Sequence, residues 1–392
     1  MKYKFLIQML AGLVAVSGVD AMAQGDSRLV IHHHYDALGF AEPVPVNISG
    51  FTSEVAGILR QDLLFMGMTN APADQAKYLI DGGNSGRVEA RVTDRITKNP
   101  VLAKAYTGGS TRSQVHALAD DIAKAITGVP GIAQTKIAFK AESGPAKSEI
   151  YISDYDGFNP LQVTRDNTIV SAPDWAGKST LFYASYKLGN PRIFSHNLPT
   201  GARQMITPYG GANISPAVSS DGTRVAMILS KNGSPNLYVS DLGGKNLKQL
   251  TFSREGESSP CWSPDNKTIC FVSRESGVPG LYAISANGSG KRRISTVGSS
   301  NPTEPDWSPD GKYIVFTSQM RHFEIFIVPA EGGSTYDIAE GEDAVWAPNS
   351  RAVVFSKGPD HAKSLYLLDV PTKQVKTIAR ILGSNSQPSW AK

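Results

Sequence analysis

Cysteine is almost absent. Cys261 and Cys270 are the only two in 392 residues, too few for a disulfide scaffold and, without neighbouring histidines, too few for a structural zinc site. Their nine-residue spacing sets them across a hairpin turn, either as two small buried side chains or as a pair bonded in an oxidising compartment. Excess charge is lacking too. Lys plus Arg number 39 against 35 Asp plus Glu, a net +4 with no basic block, so neither nucleic acid nor an anionic membrane is an expected partner. No apolar run approaches the ~20 residues that span a bilayer, so the chain is not expected to insert in a membrane. The run at residues 5–16 follows Lys2 and Lys4 and precedes Ala21-Met22-Ala23, which reads as an export signal over residues 1–23, cleaved before Gln24. Catalytic signatures are missing as well. There is no Gly-x-Ser-x-Gly elbow, and Gly82-Gly83-Asn84-Ser85-Gly86 lacks the lysine of a phosphate loop and reads as a hairpin turn.

Glycine and proline are plentiful, 37 and 24, and the apolar share is 41%, which fits many short strands joined by tight turns. The five tryptophans organise them. Trp175, Trp262, Trp307, Trp346 and Trp390, with Val218 in the missing place, are spaced by 43, 44, 45, 39 and 44 residues, the period of a four-stranded propeller blade. The clearest copy runs Pro305-Asp306-Trp307-Ser308-Pro309-Asp310-Gly311, a first strand and its turn. An aliphatic-aromatic pair marks the third strand each time: Ile193-Phe194, Leu237-Tyr238, Leu281-Tyr282, Ile325-Phe326 and Leu365-Tyr366. The last copy stops after one strand at Trp390, and its three missing strands are expected at residues 135–140, 149–152 and 161–164. That arrangement closes a six-bladed ring over residues 134–392.

Residues 24–133 follow another pattern. Apolar faces at helical spacing over 54–66 and 113–127, with strand signals at 78–80, 87–93 and 101–107, predict a small mixed α/β sheet carrying two helices. Gly128-Val129-Pro130-Gly131 reads as a hinge between the two units.

An export signal, a small α/β domain and a propeller of Pro-x-Trp-Ser-Pro-Asp-Gly repeats closed by the last strand together resemble the TolB family of the Tol–Pal system. Two stretches sharpen the likeness: residues 153–159, Ser-Asp-Tyr-Asp-Gly-Phe-Asn, and residues 231–242 with Asn236-Leu237-Tyr238-Val239. The resemblance implies a periplasmic, non-catalytic adaptor in cell-envelope integrity and division, without cofactor and monomeric alone. It implies docking of the lipoprotein Pal on the propeller mouth. Carried over, that surface is Ala212, Asn213 and Ser215, then Ser258 and Ser259, Thr303 and Glu304, Glu342 and Asp343, and Asn385 with Gln387. It also implies TolA binding through an N-terminal arm, here Arg28, Leu29, Val30 and Ile31. His32, His33 and His34 stand where the family has small and acidic residues, which puts that contact in question. Only His32 and His34 share a strand face, and they lack further metal ligands. The alternative reading is a propeller lyase or glycosidase using channel carboxylates, for which Glu304 and Asp343 form the candidate pair.

Overall fold

The computed structural model describes residues 38–320, 322–378, 381 and 383–392; the expected export signal, the Arg28–Ile31 segment and the three histidines after it lie outside them. The first unit contains β1 (Val44–Ser49), α1 (Ser53–Leu64), β2 (Met68–Asn70), β3 (Tyr78–Gly83), β4 (Val88–Asp94), β5 (Pro100–Tyr106) and α2 (Thr111–Thr127). Its sheet order is β2-β1-β3-β4-β5, with β1 parallel to β2 and β3 and the remainder antiparallel. The helices and the last three strands match the sequence pattern. Strands β1 and β2 carry weaker signals, because Pro45 interrupts the first and the second has only three residues. Helix α2 starts where Ser110 accepts a hydrogen bond from the Ser113 amide, and it stops at Gly128, whose φ of 76° suits glycine. The glycine-rich stretch joins β3 to β4 as an antiparallel hairpin.

The expected hinge is a fastened corner. Ala133 and Gln134 donate their amides to Asp120 of α2 at 2.7 and 3.1 Å, and a Cβ on Gly131 would lie 2.1 Å from the same carboxylate. Burial pushes the Asp120 carboxyl upward against these donors.

Six four-stranded antiparallel sheets follow. Their innermost strands, called A, are Val170–Ala176, Asn213–Val218, Glu257–Trp262, Pro302–Trp307, Glu342–Trp346 and Ser384–Trp390, in blades I to VI. In blade VI, Ser384–Trp390 pairs antiparallel with Lys136–Gly144, which leads to Lys147–Asp154 and Leu161–Gln162. The two chain ends of the propeller thus meet in one sheet, as the truncated repeat predicts. All five tryptophans are buried. Two bind across blades: the Trp262 indole donates to the Ala217 carbonyl at 2.9 Å and Trp175 to that of Ser389 at 3.1 Å. Cys261 and Cys270 face each other across strands A and B of blade III as free, buried thiols.

One hydrophobic core joins the two units. Leu59, Leu63, Val115 and Leu118 of the helices cluster with Ile137, Phe139, Val354, Leu365 and Trp390 of the propeller. A buried polar group lies inside this joint. The His116 ring approaches Asp62 through Nδ1 at 2.7 Å and Asp156 through Nε2 at 3.7 Å, Arg112 pairs with Asp156, and the Tyr155 hydroxyl donates to Asp62. Tyr155 and Asp156 belong to the 153–159 stretch singled out in the sequence, so that segment serves the joint. Strands alternate in direction, so the A–B and C–D turns share one face of the ring, where the first unit sits. The B–C and D–A connections open on the other.

Candidate functional site

Each strand A breaks register near its start, where two residues bulge toward the axis. The bulges are Ala172-Pro173, Ser215-Pro216, Ser259-Pro260, Glu304-Pro305, Asp343-Ala344 and Gln387-Pro388. The leading residue of each has a φ between 49° and 56°, a left-handed conformation that costs a non-glycine residue roughly 1–2 kcal/mol. A strain repeated six times around one ring is a built feature, and bulges re-aim side chains. Here they turn the leading side chains into the channel, which encloses about 280 Å³.

The channel polar groups are tied from blade to blade. Asp174 accepts from the Val218 amide at 2.6 Å and the Ser389 hydroxyl at 2.9 Å. Glu304 accepts from Thr317 at 3.0 Å and from the Asp343 amide at 3.1 Å. Asp343 accepts from Ser356 and from the Gln387 amide, both at 2.9 Å. The Ala172 amide donates to Gln387 at 2.9 Å, and Asp306 receives the Trp346 amide at 2.8 Å and Lys392 at 3.1 Å. Burial raises the Asp174 carboxyl to about 6. Burial first and the Asp343 charge second raise Glu304 to about 8. Glu304 and Asp343 are therefore neighbours in one hydrogen-bond chain. Their accepting oxygens are engaged with the protein's own backbone and hydroxyls.

The predicted mouth residues divide into three groups. Ser258 is exposed. Ala212, Ser215, Ser259, Thr303, Glu304, Glu342, Asp343 and Gln387 are half-buried at the mouth and channel, Glu342 paired with Lys363. Asn213 and Asn385 are buried, and they clamp loops instead of meeting solvent. The Asn213 amide group donates to the carbonyls of Pro191, Tyr209 and Gly211 at 3.2, 2.9 and 3.0 Å. That of Asn385 donates to Ile381 and Gly383 at 2.9 and 3.3 Å. Adjacency to the Pro-x-Trp motif therefore does not ensure exposure.

Sequence reasoning missed an apolar feature on the same face. Leu188, Phe252, Val278, Met320 and Phe323 are exposed, Phe252 by 79%, and all lie in or at the ends of the B–C and D–A connections of blades I to IV. The signal was present in the sequence as large apolar residues inside segments otherwise made of Ser, Gly and charged residues.

Residues 123–392 match the family model described as the TolB beta propeller domain. The chain is 32% identical over 190 residues to the Tol-Pal system protein TolB of Francisella tularensis subsp. tularensis, covering 45% of this chain and 43% of that protein. It is 30% identical over 186 residues to the protein of the same name from Desulfosudis oleivorans, covering 45% and 42%. The matched stretches thus span less than half the length of these curated relatives. The crystal structure of TolB from Acinetobacter baumannii superposes with a TM-score of 0.78 at 22% identity, over 90% of this chain and 97% of that one. With the family model matching more than half of the residues and the fold shared from the first sheet to the closing strand, the chain belongs to the TolB β-propeller family.

Proposed function

We propose that this protein is a periplasmic, non-catalytic component of the Tol–Pal system that docks the lipoprotein Pal on the open face of its propeller, in support of outer-membrane integrity and division. The observation that carries the reading is the composition of that face. Phe252, Val278 and Met320 are exposed in the connections of that face, as is Ser258 at the start of its strand A, on the end of the ring opposite the first unit. Interfaces concentrate their binding energy in a few such anchors within a polar rim. The half-buried ring of Ser215, Ser259, Glu304, Asp343 and Gln387 forms the floor of this site. Their strained bulges hold it rigid, which lowers the entropy cost of docking.

The channel acids serve structure in this account. A glycosidase needs one carboxyl free to give a proton and another free to attack or activate water, whereas Glu304, Asp343 and Asp174 accept hydrogen bonds from the next blade. A second contact, to TolA through the Arg28–Ile31 arm, is the family's pattern, and His32, His33 and His34 put it in question for this chain.

The test is immobilisation of the purified periplasmic domain of Pal, with the mature chain and a Phe252→Glu, Ser258→Arg variant passed over it. Saturable binding by the wild type, with at least a tenfold loss in a variant of unchanged melting temperature, supports the docking face. Equal binding by both moves the site elsewhere, and no binding by folded wild type removes Pal as the partner.

A further inference from the structure

Three residues before the bulge proline, the repeat places Asn213 in blade II, Glu257 in blade III and Asn385 in blade VI. The two asparagines use their amide N–H groups to hold carbonyls of the connection that enters their own strand A. Glu257 occupies the same place at the end of residues 250–256, the connection that carries Phe252. It is only 4% exposed, and its carboxylate oxygens meet no donor beyond the Ser273 side chain on the facing strand, whose contact is too long or too bent for a good hydrogen bond. An ionised carboxylate has no proton to donate, so it cannot do what the asparagines do, and a buried charge supported only weakly is costly. A protonated carboxyl has one O–H and can.

We infer that Glu257 is a proton-operated fastening for the Phe252 loop: protonated, it holds the loop as the asparagines hold theirs, and ionised, it lets the loop loosen. The proton leaves to and returns from water, and no other bond changes.

The surroundings agree with this role. Ser273 lies directly opposite Glu257 on strand B of blade III. The charged groups that face it are Lys291 and Glu275, which pair with each other and act in opposite directions on its ionisation. From blade II it meets neutral chain, its amide donating to the Pro235 carbonyl at 2.9 Å. Burial is the largest effect and raises its carboxyl to about 7. In a loosened loop the carboxyl returns to its ordinary range. Loosening then releases a proton and is favoured progressively as pH rises from about 4.5 to about 7, with no further change above that.

The functional consequence rests on the docking reading, since the loop lies on the proposed Pal face. The fastening itself is tested without any partner. Hydrogen exchange of amides 250–256 is followed in the mature chain from pH 5 to 8.5, with rates corrected for the intrinsic pH dependence of exchange. Wild-type protection is expected to fall by up to about tenfold per pH unit below 7 and to level off above it. In Glu257→Gln, which keeps the shape and supplies a permanent N–H donor, protection is expected to be flat and high. Wild-type protection that does not change with pH, or a Gln variant that keeps the slope, overturns the inference. A pH-dependent loop whose state leaves Pal binding unchanged upholds the fastening and counts against docking through this loop.

Discussion

At the scale of single residues, the Pro-x-Trp positions were readable because each type answers a steric demand. Proline suits a strand that lacks a ladder partner at a bulge, and tryptophan fills the wedge between blades. The conformation of the residue that leads each bulge was not readable. Ala172, Ser215, Ser259, Glu304, Asp343 and Gln387 share no side-chain chemistry, and glycine, which would announce a positive φ, stands at none of them. Their geometry is imposed by the bulge and the closed ring. The channel acids make a testable statement about pH. Glu304 is raised to about 8 from an ordinary 4.5, so the folded state binds its proton more tightly than the unfolded chain. That contribution to stability is complete below about 4.5 and is lost as pH climbs through 8. Glu304→Gln keeps an acceptor for the Asp343 amide without the charge. Urea titrations should show the variant more stable than wild type at pH 8 and the two converging toward pH 5.

At the scale of elements, helix α2 is where sequence and structure agree best, because a 3.6-residue periodicity, a serine cap and a glycine stop all point one way. What the periodicity could not convey is that His116, on the same helix, would be buried at 4% exposure between Asp62 and Asp156 of different units. A lone histidine on an apolar face has no sequence signature for its partners. Removing a member of a buried ionic group strands the others, so His116→Ala should cost on the order of 2–3 kcal/mol by urea denaturation. The supposed hinge at residues 128–131 was misread for a related reason. Glycine and proline signal a break in the helix, but they do not say whether the break swings or packs. Gly131→Ala would drive a methyl group into Asp120 and should lower stability by roughly 1–3 kcal/mol. A neutral result would mean that the corner can open.

For the whole molecule, closure of the ring was the most legible feature. A period that ends after one strand at the C-terminus and begins with three at the other end has one economical solution. The structure adopts it through the pairing of Ser384–Trp390 with Lys136–Gly144. Deleting residues 386–392 removes Trp390 from the core shared by both units and exposes the edge of blade VI. The truncated chain should aggregate, or melt in two steps where the intact chain melts in one. The proposed docking face was only partly legible. Its end of the ring follows from strand direction, whereas the exposed apolar residues of the loops and the buried asparagine clamps depend on how each connection folds back.

The central claim is that the face bearing Phe252 and Ser258 is a protein-docking surface. The most direct measurement is a calorimetric titration of the mature chain with the purified periplasmic domain of Pal, repeated with Phe252→Glu and with Val375→Glu, a control at an exposed apolar site on an outer strand. The account predicts saturable binding with a negative heat-capacity change, weakened at least tenfold by Phe252→Glu and untouched by Val375→Glu. Equal affinity in all three proteins, or no binding by folded wild type, would contradict it.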